Sequence, residues 1–325
     1  MLTFEFSASD LARTRFAISP LLEVVTSTSV LRNPNANAVH LPWIKQVREH
    51  LAANKATFPL LEALVAPARG YIPDFLSRPP LTSMTDLASE LDALRSTSAE
   101  QVHADLAFLS KPISPMIAEK FASPREGLAK LAAEVERYWD LALAVHWPRI
   151  RRLLEGEVLF RARQLAESGV HGVLGDLGTN MQWTHSELRI LKIACTNAVS
   201  LRGRGLLLVP SVFARLTGTA ISEEPWQPTL IYSPRGVATL WEWGGGCAPE
   251  ALATVMGKAR ALLLAELASP ASTTELSRWT GLTPGGVSTH LTALRSAGLV
   301  SAHRTGRTVL YARTRVAESL LEATA

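Results

Sequence analysis

The chain has 325 residues, 47% apolar and 19% charged, with 33 Lys and Arg against 29 Asp and Glu. That apolar share excludes extensive disorder, and no run approaches the roughly 18 uninterrupted apolar residues of a membrane span. Two cysteines, Cys195 and Cys247, do not suggest a disulfide framework, and the opening MLTFEFSASD lacks a basic start and a signal-like apolar run, so a cytoplasmic protein is expected.

From the N-terminus, the first half reads as mostly helical. Leu87, Leu91 and Leu94 share a helical face, and Ser98 with Gln101 has the spacing of a capping box ahead of Val102, Leu106 and Leu109. Pro124 begins a long pattern through Leu128, Leu131, Val135 and Leu141. Pro148 restarts a helix expected to run to about Ser168, and the turn-rich Gly169 to Gly178 closes the helical part. Between about Met181 and Trp243 the signal changes to short apolar runs: Leu188–Ile193, Leu206–Val209, Leu230–Tyr232 and Val237–Trp241. Runs of that length, separated by Gly, Pro and Ser, predict strands. Gly244-Gly245-Gly246 reads as a linker. Pro249 then begins a helix whose Leu252, Val255, Met256, Ala259, Leu262, Leu263 and Leu267 form a broad apolar stripe.

The stretch from Ser272 to Tyr311 is the most informative. Ser272 and Glu275 are spaced as a capping box, Leu276 and Trp279 share one face, and Gly281 suits a left-handed helix exit. Thr283 and Pro284 suit the N-cap and first turn of a second helix. On it Val287, Leu291 and Leu294 face a core, with Gly285, Ser288, Thr289, Thr292 and Ser296 opposite and Arg295 to one flank. This pattern predicts a helix-turn-helix whose second helix enters the DNA major groove. After Gly298, alternation through Leu299-Val300 and Val309-Leu310-Tyr311 predicts a hairpin with Arg304-Thr305-Gly306-Arg307 at its tip, a basic wing for phosphates or the minor groove. From Lys258 onward eight Lys and Arg stand against four acids, a net +4 that equals the charge of the whole chain. Everything before Lys258 is therefore balanced, and the field that favours phosphate is confined to this end. The candidate DNA contacts are Ser272, Thr273, Thr283, Gly285, Ser288, Thr289, Thr292, Arg295, Arg304, Arg307 and Tyr311.

The run L-x-x-x-T-G-L-T-P-x-x-V-S-x-H-L-x-x-L-R-x-A-G-L-V, followed by R-x-G-R-x-V-L-Y, spans Leu276 to Tyr311 and resembles the ArsR/SmtB family of bacterial transcription regulators. The pair Gly285-Gly286 departs from it, where bulkier polar residues are common. Phe4–Val25, Gly205–Phe213 and Leu230–Glu242 resemble a long actinobacterial subgroup of that family more loosely. The resemblance implies a winged helix-turn-helix and raises the question of metal sensing. The family's Cys-x-Cys site is absent from Thr274 to Arg278, and Val316 to Ala325 offers Glu318 and Glu322 without His or Asp. No metal or other cofactor is therefore expected.

Enzymatic motifs are thin. Gly257-Lys258-Ala259 lacks the earlier Gly and closing Ser or Thr of a phosphate loop, and it falls inside the expected amphipathic helix. His171, Asp176 and His185 read as scattered loop residues, and Arg149, Arg151 and Arg152 as a solvated helix face. His290 is placed on the flank of the second helix rather than on a base. Tryptophans 183, 226, 241 and 243 are more often core, though such rings can line an effector pocket. The expected fold is α+β and mainly helical: a helical region over 1–175 for dimerisation and ligand response, a strand-rich segment and linker over 176–246, and a winged helix-turn-helix over 247–325. The expected function is a homodimeric, sequence-specific DNA-binding transcriptional repressor, not an enzyme, controlled by a small organic effector. The alternatives are an N-terminal enzyme or a protein-interaction scaffold tethered to a DNA-binding domain.

Overall fold

In the computed structural model the chain divides into two units, Met1–Trp241 and Glu242–Ala325. Described are all residues except 35–36, 66–70, 110–114, 192–196, 216–217, 223–225, 242–249, 268–269, 306–307 and 323–325. The larger unit contains, in order, β1 (Leu2–Glu5), α1 (Ala8–Arg13), β2 (Arg15–Phe16), α2 (Pro20–Arg32), α3 (Leu41–Ala53), α4 (Pro59–Leu64) and α5 (Leu87–Arg95). Then come α6 (Ala99–Ala107), α7 (Pro115–Lys120), α8 (Pro124–Tyr138) and α9 (Trp147–Gly175). The remaining strands are β3 (Met181–Thr184), β4 (Glu187–Ile190), β5 (Asn197–Ser200), β6 (Leu207–Pro210), β7 (Thr219–Ile221) and β8 (Thr229–Tyr232).

The helical faces follow the apolar spacing. Leu91, Leu94, Val102, Leu106, Leu128, Leu131 and Val135 are all buried in one core with α2, α3 and α4. Buried carboxylates tie this core to its surroundings. Glu90 on α5 accepts from Ser19 Oγ at 2.6 Å and from the Leu21 amide at 2.7 Å, meeting donors at the start of α2 that the helix itself cannot satisfy. Glu23 on α2 accepts from the Val212 amide at 2.9 Å, just after β6. Burial pushes the Glu90 carboxyl up to about 7 and the Glu23 carboxyl up to about 8. Ser98 accepts from the Gln101 amide, but the Gln101 side chain turns to Asp105 at 2.6 Å, so only half of the expected capping box forms. Beyond Tyr138 the helix widens into a π-turn, Trp139–Leu143, and Trp43 Nε1 donates to the Ala142 carbonyl at 3.2 Å.

The strands build two sheets, ordered β3-β4-β1-β5 and β2-β6-β8-β7. In the first, β1 lies between antiparallel β4 and parallel β5; in the second, β2 runs parallel to β6 and β6 parallel to β8. Alternation along each strand sends Leu2, Phe4, Leu188, Ile190, Leu208, Leu230 and Tyr232 into one core, joined by Val173, Leu174 and Leu177 from the end of α9 and the turn after it. Leu207, Val209 and Ile231 point the other way, to Ala17 and Leu22. The division expected at residue 175 is thus not the one observed. The first residues of the chain form the interior strand of a sheet whose other members begin near residue 181, so strands and helix ends from both sides of residue 175, up to Tyr232, share one core.

Two expected elements of this unit change. Val237–Trp241 is not a strand: Val237–Thr239 is a 3-10 turn, and Leu240 and Trp241 pack into the helical core. A short apolar run carries no period that separates these outcomes. The helix after Pro148 does not stop at Ser168 but kinks at Gly169 (φ 65°) and continues to Gly175. Gly205, at φ 69°, donates its amide to Asp10, and a Cβ there would lie 2.6 Å from the Arg13 backbone, so a side chain is excluded.

The smaller unit comprises α10 (Glu250–Met256), α11 (Lys258–Glu266), α12 (Thr273–Thr280), α13 (Pro284–Ser296), β9 (Val300–Thr305), β10 (Thr308–Arg313) and α14 (Arg315–Glu322). The single helix expected after Pro249 is broken at Gly257, whose φ of 85° no helix accommodates. Val255, assigned to the apolar stripe, is 84% exposed, whereas Leu252, Leu263, Leu264 and Leu267 are buried. Gly257-Lys258-Ala259 therefore sits at a helix break rather than inside a helix, still without the flanking Gly and Ser or Thr of a phosphate loop. Pro249, the Gly244–Gly246 linker, Trp243 and both cysteines lie outside the described residues.

Candidate nucleic-acid interface

α12 and α13 are set by caps written into the local sequence. The Ser272 hydroxyl accepts from the Glu275 amide at 3.3 Å, and Glu275 accepts from the Ser272 amide at 2.8 Å, closing the capping box. Gly281 takes φ 70° and donates to the Ser277 carbonyl, ending α12. The turn is then locked twice, by Ser277 Oγ donating to the Leu282 carbonyl at 2.6 Å and by the Leu282 amide donating to Thr280 Oγ1 at 3.3 Å. Thr283 caps α13 by accepting from the Gly286 amide at 3.2 Å, with Pro284 in the first turn.

α13 buries Val287, Leu291 and Leu294 against Leu276, Ala261, Leu263 and Leu264. Burying such side chains is worth roughly 1.5–3 kcal/mol each, which fixes the helix about its own axis. The opposite face then has to be exposed, and Gly285, Ser288, Thr289, Thr292, Arg295 and Ser296 are all exposed. The hydroxyls on this face differ. Thr289 Oγ1 donates to the Gly285 carbonyl at 3.0 Å and Thr292 Oγ1 to the Ser288 carbonyl at 2.9 Å, so in this arrangement both can only accept from a ligand. The Ser288 hydroxyl has no partner among the described residues and can donate or accept. A Cβ added at Gly285 would meet nothing within 4 Å, so the first turn presents bare backbone to whatever lies outside. His290 is half-buried on the flank, its Nδ1 enclosed without a partner.

β9 and β10 pair antiparallel with Thr305 opposite Thr308 and Arg304 opposite Val309. Arg304 is exposed near the far end of the hairpin, while Gly306 and Arg307 lie outside the described residues. The near end is anchored. Arg313 Nε donates to the Leu264 carbonyl at 2.6 Å and Nη2 to the Ala265 carbonyl, so the guanidinium covers the C-terminal carbonyls of α11. Burial draws its pKa down to about 10, which leaves it charged at neutral pH and committed to the fold. Tyr311 is half-buried, bridges backbone to backbone with Ala271 and packs on the core.

Of the expected contacts, the structure gathers Gly285, Ser288, Thr289, Thr292 and Arg295 on one exposed face of α13, with Thr283 exposed at its start. Thr273 is half-buried in the first turn of α12. Ser272 is 8% exposed, and its hydroxyl also donates to Glu275 at 2.7 Å, so its atoms are spent on the cap. Ser272 and Tyr311 therefore serve the frame of this unit rather than its exposed face.

Elsewhere, His171 accepts from Trp183 Nε1 at 2.7 Å, whereas Asp176 binds Arg161 at 3.0 Å, so His171 and Asp176 are held by different partners. Arg151 pairs with Glu155, and Arg152 bonds the Pro148 carbonyl. Among the described residues no three His, Cys, Asp or Glu gather as a metal-binding group, and no helix is long and apolar enough to cross a membrane.

A capped helix, a tight turn and a second helix with a small-residue outer face define a helix-turn-helix of the DNA-binding kind. Residues 262–302, from within α11 to the start of the hairpin, match the family described as bacterial regulatory protein, arsR family. The chain thus carries an ArsR-family helix-turn-helix regulator domain behind a large N-terminal region. No curated protein and no solved structure matches it.

Proposed function

We propose that this protein is a homodimeric transcriptional repressor that reads an inverted-repeat operator through α13, with the β9–β10 hairpin as a phosphate-contacting wing. The observation that carries this reading is the exposed face of α13, glycine and short hydroxyls with Arg295 toward its end, on a helix whose other side is locked into the core. Short side chains let a helix sink into the major groove until hydroxyls and backbone reach base edges and phosphates. One such unit covers few base pairs, so specific binding needs two copies related by a two-fold axis. Repression is then steric, and a small organic effector bound by the N-terminal unit shifts the dimer to a geometry that no longer fits both half-sites. The protein acts on DNA without catalysis of its own and without a metal.

Sequencing DNA recovered by the purified full-length protein tests this. The expected outcome is an inverted repeat with half-site centres about 10 base pairs apart or a multiple of that, bound by a dimer in sedimentation. A monomer binding one-to-one with full specificity would overturn the dimeric reading. A tenfold response of DNA affinity to micromolar zinc or arsenite would overturn metal independence.

A further inference from the structure

Within the N-terminal unit a cavity of about 460 Å³ opens between the edge of the second sheet and the ends of α5 and α6. Its walls carry two guanidiniums, Arg15 and Arg78, the indole of Trp226, and the Ser96-Thr97-Ser98 corner from which α6 starts. Among the described residues no carboxylate lines it. Glu223 and Glu224, near Trp226 in sequence, lie outside the described residues.

Among the described residues each cation is positioned but not neutralised. Arg15 is clamped by Gln227 Oε1, at 3.2 Å from Nε and 2.8 Å from Nη2, and by the Pro80 carbonyl at 2.7 Å. Gln227 is in turn fixed by donating to the Arg204 carbonyl at 3.0 Å. Arg78 donates from Nη1 to the Ala93 carbonyl at 3.2 Å and lies 4.9 Å from the centre of the Trp226 ring. Neither forms an ion pair among the described residues, and Arg15 Nη1 and Arg78 Nη2 keep their protons unspent. Surface arginines are usually solvated or paired. Two that are held by neutral carbonyl oxygens in the wall of one concavity instead form a preorganised fork for an anion. Trp226 and the 82%-exposed Leu81 supply apolar surface beside it, and the volume is that of a small-molecule site.

We propose that this cavity binds a small organic anion, a carboxylate or phosphate monoester on a flat apolar body, with Arg15 and Arg78 holding the anionic head and Trp226 the flat body. Its role as the effector site rests on the regulator reading above; the binding itself does not.

Calorimetry on the full-length protein, with benzoate, indole-3-acetate, phenyl phosphate, inorganic phosphate and neutral benzamide as probes, tests the binding. At least one aromatic anion should saturate while benzamide does not, and Arg78→Gln should weaken it about tenfold or more. Arg78→Lys, which keeps the charge but not the fork, should recover part of the loss. Unchanged melting temperatures show that both variants remain folded; should Arg78→Gln unfold, Arg15→Lys replaces it with the same expectation. The proposal is overturned if no anion saturates the wild type, if the substitution leaves affinity unchanged, or if inorganic phosphate binds as well as phenyl phosphate. Anisotropy on the recovered operator separates the two readings. A protein that binds operator but no anion sinks the cavity alone. One that binds an anion through Arg78 but no DNA sinks the regulator reading and leaves the cavity standing. Anion binding that leaves operator affinity unchanged removes the effector role.

Discussion

The two units reach order by different routes. In the C-terminal unit the determinants of α12, the turn and α13 are local: Ser272 with Glu275, Gly281 with Ser277 and Thr283 with Gly286 each act within four residues. In the N-terminal unit the deciding contacts are distant. β1 pairs with strands near residues 190 and 197, Asp10 meets Gly205, and Glu23 meets Val212. Local hydrogen bonds form with little loss of chain entropy, whereas long-range pairing is stable only once the whole sheet is assembled. The difference teaches that a reader domain can be recognised in a short segment, while the unit expected to regulate it exists only as a whole.

The sharpest way to break this comparison is Phe4→Ala. Phe4 is fully buried in an interior strand, and the loss should be about 3–5 kcal/mol. Hydrogen exchange should show protection collapsing in β4, β5 and β6, far along the chain, while α12 and α13 keep theirs. Collapse of both units together would mean that they are not energetically separate.

A second effect, on the order of 1–4 kcal/mol, comes from Glu23 and Glu90. Burial raises both carboxyls, to about 8 and about 7. A carboxyl with a raised folded-state pKa binds its proton more tightly in the folded chain. Its contribution is therefore complete below the unfolded value near 4.5 and lost as pH rises through 7 and 8. Urea unfolding of the N-terminal unit should show stability falling over that window, and Glu23→Gln should flatten the fall. A stability that rises steadily from pH 5 to 8 would contradict the burial argument.

Next comes the division of labour at the DNA. Ser288→Ala removes a mid-helix hydroxyl on the α13 face that can both donate and accept, and should cost about 1–3 kcal/mol on the best site while relaxing preference at particular positions. Arg304→Ala should weaken all sequences more evenly and reduce the slope of log affinity against log salt by about 0.9, with Arg307→Ala expected to do the same. The assignment of helix as reader and hairpin as anchor fails if the two effects are exchanged.

The smallest effect separates fold from contact at one residue. Gly285→Ala places a methyl in open space, so it should stabilise α13 by up to about 0.5–1 kcal/mol while weakening operator binding. An unchanged operator affinity would show that DNA does not approach this turn closely.

What could be read from the residues in order tracks the same divide. Ser272, Gly281, Thr283 and Pro284 announced both helices and the turn between them, and the spacing of Val287, Leu291 and Leu294 told which face α13 would hide. The apolar spacing of α5, α6 and α8 was equally legible. Where a local signal had a distant competitor, it misled. Gln101 was drawn from its cap by Asp105, and Val237–Trp241, apolar enough for a strand, found its partners in the helical core around Trp43 and His40.

By itself, then, the order of residues determined the reader: caps, turn and amphipathic faces are interactions among neighbours, and they hold whatever the rest of the chain does. Only the tertiary structure decided that Leu2–Glu5 is the interior of a sheet, that Gly257 divides a helix whose apolar stripe runs past it, and that Arg313 is spent on the α11 carbonyls. It alone brought Arg15, Arg78 and Trp226 to one cavity from opposite ends of the unit. No local pattern marks such a site, because each of its residues is ordinary where it stands, and its chemistry arises from what the distant strands and helices place beside it.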